Sequence, residues 1–274
     1  MPDIREPRPH DWHKSDLYAY TVELFGTPWA WEYMRRNPKL HAAREQAEKT
    51  TEVVSVSERL TILRASSSEC PLKRWRCLFC SAPRSSSAEA AVLWHPDHCP
   101  TVLRAVAIPR EQARGRALFA LLDCPMKTVL FFTPDGVQHV LLRDGVRWLQ
   151  LAVTGASLLE PVQITAELPI DPRIAKGQAW ARQCFQDFRS SGRLLAGHYP
   201  PHARSERFRE CLQVLDGWQA GAKPKEIAEA VLGSAKVKAE WNDPGRRLQD
   251  WVRNARERGR SLMEGHYQVL LCDL

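Results

Sequence analysis

The 274-residue sequence has no long hydrophobic run, and no apolar stretch approaches the roughly 18 residues that a membrane-spanning helix needs. Its first residues, MPDIREPRPHDW, contain neither the apolar segment nor the small-residue cleavage site of a secretory signal. We therefore expect a cytoplasmic protein with no membrane partner.

Catalytic signatures are also missing. The sequence has no GxxxxGK[ST] or GxGxxG phosphate-binding motif, no HExxH zinc-hydrolase motif and no GxSxG nucleophile motif. Internal repeats and coiled-coil heptads are absent as well. These absences favour a protein that is not an enzyme and has no cofactor.

The charge excess is small, with 39 Lys and Arg against 32 Asp and Glu and a net charge of +7. This balance suits a polyanionic partner but does not require one, because many enzymes share it. Eight cysteines in a cytosolic chain are expected to be thiols first, metal ligands second and disulfides last.

Residues 11–50 are helical in pattern. A first helix follows Ser15 as a plausible N-cap, and Pro28 opens a second, WAWEYMRR. Asn37-Pro38 should interrupt that helix, since the residue before proline resists the helical conformation, and a third helix is predicted over 39–49.

Short β-like runs fill residues 53–169, and the clearest are TVLFFT, VQHVLL, VRWLQLAV and VQITAEL. Asp-Gly turns join the first three runs, which is a strong hairpin signal, so we predict a β-meander over about 127–168. Residues 110–122 are predicted to form a helix that packs on it. From 171 onward the pattern is helical again, and the final long helix is predicted near 245–264.

The predicted fold class is therefore α+β, with a helical N-terminal region, a central antiparallel meander and an all-helical C-terminal helix-turn-helix variant. The corresponding division is 1–110, an N-terminal domain, 111–171, the meander, and 172–274, a helical C-terminal domain whose function the following motifs indicate.

The last long helix carries the main functional signal. At about 100° per residue, Arg246, Arg253, Arg256 and Arg260 fall within a stripe of roughly 80°. The apolar residues cluster on the opposite side, and they are Leu248, Trp251, Val252, Ala255, Gly259 and Leu262. Arginine donates in a planar fork to phosphate oxygens and to guanine, and a helix fits the major groove. The alternative is a solvated helix face, which would normally mix charges of both signs in i,i+4 pairs, and this face carries few acids.

The preceding segment supports the DNA-binding interpretation. Helix KEIAEAVLG resembles the positioning helix of a helix-turn-helix, and an apolar helix that includes Leu212, Val214, Leu215 and Trp218 precedes it. The next segment, SAKVKAEWNDPG, is too long for a short turn, and we predict an extended turn that Val237 and Trp241 anchor to the core. Asp243 is the predicted N-cap of the last helix, with Pro244 at its first position.

We predict that arginines read bases and phosphates, with Arg246 and Arg247 nearest to the bases, and that lysines contact phosphates. The nine candidate DNA-binding residues are Arg246, Arg247, Arg253, Arg256, Arg260, Lys223, Lys225, Lys236 and Lys238.

Two other clusters have open interpretations. WAWEYMRRNP could form a nucleic-acid or protein contact through its aromatic residues and Arg35 and Arg36, or it could be a core helix with both arginines at its solvated end. Cys and His residues with zinc-like spacing could hold a metal, or they could be small packed side chains. These zinc candidates are Cys77, Cys80, His95 and Cys99, with Cys70 and His98 nearby.

Several segments resemble proteobacterial conjugative-element transfer activators of the FseA type. The similarity lies in DWHKSDLYAY and WAWEYMRRNPKL, in LDGWQAGAKPKEIAEAVLG, in Trp241 and in RRLQDWVRNARERGRSLMEGHYQVLL, with a weaker match at VLWHPDHCPTVL. The resemblance implies an N-terminal transcriptional-regulator-like domain and a C-terminal extended-turn helix-turn-helix. It further implies transcriptional activation of mobile-element excision or conjugative transfer genes, and hence a role in horizontal gene transfer from an integrative and conjugative element.

The resemblance leaves one rival function. Related free-standing C-terminal domains act as antiactivators, which implies that this chain could instead bind a regulatory protein or RNA polymerase without touching DNA. The arginine stripe favours double-stranded DNA as the partner, because the antiactivator surfaces are acidic.

Overall fold

A computed structural model describes residues 11–114, 117–167 and 169–273. Its α-helices are α1 (Gly26–Met34), α2 (Pro38–Lys49), α3 (Pro172–Ser191), α4 (Ser205–Gln219), α5 (Pro224–Leu232), α6 (Ser234–Glu240) and α7 (Arg247–Met263). Shorter 3-10 helices lie at Ser15–Glu23, Lys73–Trp75, Arg110–Gln112, Leu121–Asp123, Ala196–His198 and His266–Leu271. The α+β prediction is confirmed.

The strands are β1 (Thr51–Val56), β2 (Leu60–Ala65), β3 (Cys77–Cys80), β4 (Val92–Trp94), β5 (Leu103–Pro109), β6 (Lys127–Phe132), β7 (Gln138–Asp144), β8 (Arg147–Gly155) and β9 (Val162–Ala166). Seven of them form one mixed sheet in the order β1-β2-β6-β7-β8-β5-β9, and β3 and β4 form a small antiparallel pair.

The predicted meander is confirmed for its first three strands. β6, β7 and β8 pair antiparallel in chain order, with Leu130 opposite Val140 and Leu142 opposite Leu149. The Asp-Gly turns give the backbone a positive φ at Gly136 and at Gly145, as tight hairpin turns require.

The fourth predicted strand does not continue the meander. β5 lies between β8 and β9, parallel to β8 and antiparallel to β9. Buried Leu103, Ala105 and Ala107 give β5 an apolar face that the core of the sheet covers. Leu168, the last residue of the predicted strand, lies outside the described residues.

The predicted helix over 110–122 is wrong. Its described residues form only the short 3-10 turns at Arg110–Gln112 and Leu121–Asp123, and Phe119 bridges to Val162 at the edge of the sheet. Backbone pairing with β9 therefore forms in place of the predicted helix. Residues 115 and 116 lie outside the described residues.

The N-terminal helices agree with the prediction in number but differ at their starts. Ser15 begins a 3-10 helix, and its hydroxyl donates to the Ala230 carbonyl at 3.1 Å instead of capping an α-helix. The break at Asn37-Pro38 is confirmed, because the Asn37 side chain caps α2 by accepting from the Lys39 amide at 3.0 Å.

Three apolar clusters hold the chain together. One face of the sheet packs with α1, α2 and the C-terminal 3-10 helix, and the other face packs on α3 through Ala181, Cys184 and Phe185. The third cluster joins α4, α5, α6 and α7. Residue 110 is the predicted end of the first domain, and strands from both sides of it join the same sheet. The domain limits stay a prediction.

Candidate nucleic-acid interface

The candidate interface is built on α4, α5 and α7. Ile227 and Ala228 of α5 are fully buried against α4 and α7, as the small-residue pattern predicts. Pro224 occupies the first turn of α5, and the Glu226 carboxylate accepts from the Lys223 amide at 2.9 Å. This contact satisfies an amide that the start of a helix leaves without a partner.

Helix α7 buries its predicted apolar face. Leu248, Val252 and Ala255 lie in the helical core, while Gly259 packs directly on α4. A Cβ atom at Gly259 would lie 2.7 Å from the Cys211 carbonyl oxygen, so glycine permits the close crossing of α4 and α7.

The predicted extended turn is instead largely helical. Residues Ser234–Glu240 form α6, because Ala, Lys and Glu have high helix propensity and Gly233 separates this segment from α5. Val237 is fully buried, as expected, and Lys236 and Lys238 on either side of it are exposed.

The start of α7 also differs from the prediction. Asp243 does not cap the helix, because its carboxylate accepts from the Gly245 amide at 3.0 Å and closes a turn ahead of it. Arg246 is the N-cap residue, with φ 52° and ψ 22°, and α7 begins at Arg247. A left-handed conformation is unfavourable for a residue with a Cβ.

The nine predicted DNA-binding residues all lie on the surface of this helical unit. Eight are exposed, and Arg256 is half-buried. The Arg256 guanidinium lies over the Trp218 ring, 4.2 Å from its centroid. Trp218, which the pattern placed in the core, is 43% exposed, because it lies at the end of α4 beyond the crossing with α7.

The expectation of few opposite charges on α7 is wrong. Arg253 pairs with Asp250 at 3.0 Å, and Arg260 lies 3.7 Å from Glu264. Both pairs are well exposed, so each contributes little to stability and its arginine exchanges partners at low cost. Acidic side chains therefore lie in the first turn of α7, at its middle and just after its last residue, while Arg246 and Arg247 precede them.

A buried ionic cluster that sequence reasoning missed joins α4 to the N-terminal helices. Asp216 accepts from Arg36 Nε at 2.6 Å, from Arg36 Nη2 at 2.8 Å and from the Tyr18 hydroxyl at 2.7 Å. Glu32 accepts from Arg35 and Arg36 at 2.7 and 2.9 Å. Its only sequence signal was two adjacent arginines, three and four residues after a glutamate.

This cluster settles how WAWEYMRRNP is used. Trp29, Trp31 and Tyr33 are fully buried, which confirms the core interpretation of the helix. The solvated position expected for Arg35 and Arg36 is wrong, since both guanidiniums are almost completely buried among carboxylates.

The N-terminal segment also completes the helical unit. Trp12 packs in the cluster formed by α4, α5, α6 and α7, and a Cβ at Gly217 would lie 3.1 Å from its ring. Gln213 of α4 donates to the Trp12 carbonyl at 2.8 Å. The core of the candidate interface thus includes a residue some 200 positions away in sequence.

The cysteines are thiols, as expected. All eight are free, and the Cys99 sulfur lies 3.1 Å from the Thr101 hydroxyl and 3.6 Å from the Leu271 carbonyl. Cys77 and Cys80 are buried on β3. Within the described ranges, His, Cys, Asp and Glu side chains form no group of three or more that could hold a metal ion, so the candidate zinc ligands are not assembled as a site.

Comparison with known families agrees with this geometry. Residues 167–272 match a family model described as "T6SS, Transcription factor, DNA binding domain" and named RovC_DNA-bd. This part of the chain resembles a transcription-factor DNA-binding domain. The match covers α3 to the C-terminal 3-10 helix, which is less than half of the chain, and supports a DNA-binding transcriptional regulator.

Other comparisons add less. No curated protein matches the chain, and the resemblance to conjugative-element activators is not confirmed. Among the described residues, no helix is long and apolar enough to cross a membrane.

Proposed function

We propose that this RovC_DNA-bd-like region binds double-stranded DNA with α7 as its recognition helix, and that the chain regulates transcription without catalysing a reaction. The observation that carries the proposal is the arrangement of α7, whose apolar face packs on α4 while its opposite face exposes arginines. The two exposed lysines of α6 immediately precede this helix and suit phosphate contacts.

Binding of a labelled random-sequence duplex, followed by fluorescence anisotropy over a range of salt concentrations, tests this proposal. If six or more of the nine candidate cations contact phosphates, affinity should fall on the order of 10³-fold or more between about 50 and 200 mM salt. Lack of binding at low salt would contradict DNA recognition and favour the protein-binding alternative.

The regulated genes are a separate part of the proposal. The FseA-type resemblance favours activation of conjugative transfer or excision genes, whereas the RovC_DNA-bd family is described as a T6SS transcription factor. Genome-wide mapping of bound sites, combined with transcript levels in a deletion strain, distinguishes the two gene sets and reports whether expression rises or falls.

Arg246→Gly should separate DNA binding from folding. Glycine relieves a left-handed conformation that costs about 1–2 kcal/mol, against about 0.5–1 kcal/mol of added chain entropy, so the melting temperature should stay unchanged or rise. Loss of the guanidinium should weaken binding about 10-fold or more, since a bidentate base contact contributes roughly 1–3 kcal/mol.

Arg76→Gly is the matched control. Arg76 is the other non-glycine residue with positive φ in the described part of the chain, at 57°, and it precedes β3 outside the helical unit. It should show the same thermal response with unchanged affinity. Wild-type affinity in Arg246→Gly would show that Arg246 contributes nothing to DNA recognition.

A further inference from the structure

A groove of about 470 Å³ runs along the other flank of α7. Its walls are the beginning of α4, the second half of α7 and the C-terminal 3-10 helix His266–Leu271. No sequence pattern pointed to this groove, because its walls come from three separate segments that meet only where α4 crosses α7.

Arginines dominate the α4 side of the groove. Arg204 and Arg207 are exposed and line it, and with Cys211 they follow the i, i+3, i+7 spacing of one helix face. Within the described residues, neither guanidinium makes a hydrogen bond or ion pair. Both side chains are therefore available to an anionic ligand.

Arg258 extends this basic surface onto α7. It is half-buried and lines the same groove. Burial raises the pKa of the Cys211 thiol of α4, and the positive charge of nearby Arg258 opposes that rise.

The basic groove and the predicted arginine stripe lie on opposite sides of α7. A strip of exposed residues, here called the outward strip, separates them. Arg256 and Arg258 are two residues apart and so point about 200° away from each other around α7. Asn254, Glu257 and Ser261 are exposed between them. A helix in the major groove has base edges in front of it and a phosphate backbone on each side.

We propose that Arg204, Arg207 and Arg258 form a second phosphate-binding surface, which contacts the DNA backbone on the side of α7 opposite Arg256. This inference rests on the proposed DNA-binding function and adds to it three residues outside the predicted set.

The acids of the groove are compatible with this placement. The Asp273 carboxylate lies 3.3 Å from His202 Nε2, so it has a hydrogen-bonding partner within the protein. Glu257 lies on the outward strip between the two basic flanks and faces the base edges, where a carboxylate can accept from the amino group of cytosine.

The double variant Arg204→Gln/Arg207→Gln tests the proposal through the salt dependence of binding to a random-sequence duplex. Removing two phosphate contacts should reduce the slope of log K against log salt by about 1.8 and weaken binding equally for different duplex sequences. Arg207→Lys keeps the charge and should retain most of the slope.

Arg209→Gln is the control on the same helix. Arg209 points away from Arg207 and pairs with Glu206 at 2.9 Å, so its loss should leave both slope and affinity unchanged. Circular dichroism should show that all three variants fold like the wild type.

The possible outcomes distinguish a failure of DNA binding from a failure of the second phosphate-binding surface. A wild-type protein that does not bind duplex DNA at low salt contradicts DNA recognition itself. A wild type that binds, together with a double variant of unchanged slope, overturns only the second surface.

Discussion

Reversing the charge of Arg253 and Arg256 together should lower the affinity for duplex DNA about 100-fold or more. Each guanidinium can make a charge-assisted hydrogen bond worth about 1.5–3 kcal/mol, and about 1.4 kcal/mol corresponds to a factor of ten in affinity. The variant Arg253→Glu/Arg256→Glu removes both contacts and adds two repulsive charges on the exposed face of α7. Fluorescence anisotropy at low salt measures the loss.

Folding should survive this change. Arg253 pairs only with exposed Asp250, and loss of the Arg256 contact with Trp218 should cost about 0.5–1 kcal/mol at a partly exposed site. The melting temperature should therefore fall by only a few degrees.

A control with the same change in net charge is available away from this face. Arg59, in the loop between β1 and β2, and Arg193, after α3, are both exposed. If Arg59→Glu/Arg193→Glu weakens binding as strongly as the α7 variant, overall charge and not the α7 face governs affinity. If the α7 variant binds like the wild type, α7 is not the recognition helix.

The elements that sequence reasoning predicted correctly are those with a local cause. The helical spacing of Leu248, Val252 and Ala255 is enough to identify the buried face of α7, and Asp-Gly turns are enough to join β6, β7 and β8. In each case the residues that decide the structure lie within a few positions of one another.

The elements that were missed depend on contacts between distant segments. β5 enters the sheet between β8 and β9, and nothing within 103–109 specifies a neighbour some 45 residues later. Arg36 and Asp216 are 180 residues apart, so their ion pair has no local signature. The extended turn was wrong for a local reason, because Ala, Lys and Glu give Ser234–Glu240 a high helix propensity and the segment forms α6.

The candidate site also contains some features that local sequence patterns predict and others that they do not. Periodicity placed Arg253 and Arg256 on one exposed face of α7, but it could not show that Asp250 pairs with the first or that Trp218 stacks with the second. The sequence did not indicate Arg204 and Arg207, because they lie beside α7 only as a result of the crossing of α4 and α7 at Gly259.

Asp216→Ala should destabilise the protein by about 3–5 kcal/mol, which is the usual cost of breaking a buried ion pair by removing one partner. Asp216 is 8% exposed, and its loss removes the two hydrogen bonds from the buried Arg36 guanidinium and the one from the Tyr18 hydroxyl. Urea unfolding followed by tryptophan fluorescence measures the change, and Asp216→Asn provides a milder variant if the alanine protein does not fold.

Glu206→Ala, on the same helix, is the control, because its pair with Arg209 is exposed and should contribute less than about 1 kcal/mol.

Acid should reproduce part of the Asp216 effect. Burial raises the pKa of Glu32, but Arg35 and Arg36 outweigh burial and lower it from 4.5 to about 2. Because the folded-state pKa is depressed, Glu32 stabilises the fold above pH 4.5, and this contribution is lost as the pH falls towards 2. Equal urea midpoints for Asp216→Ala and Glu206→Ala would show that the buried cluster does not hold α4 against the N-terminal helices.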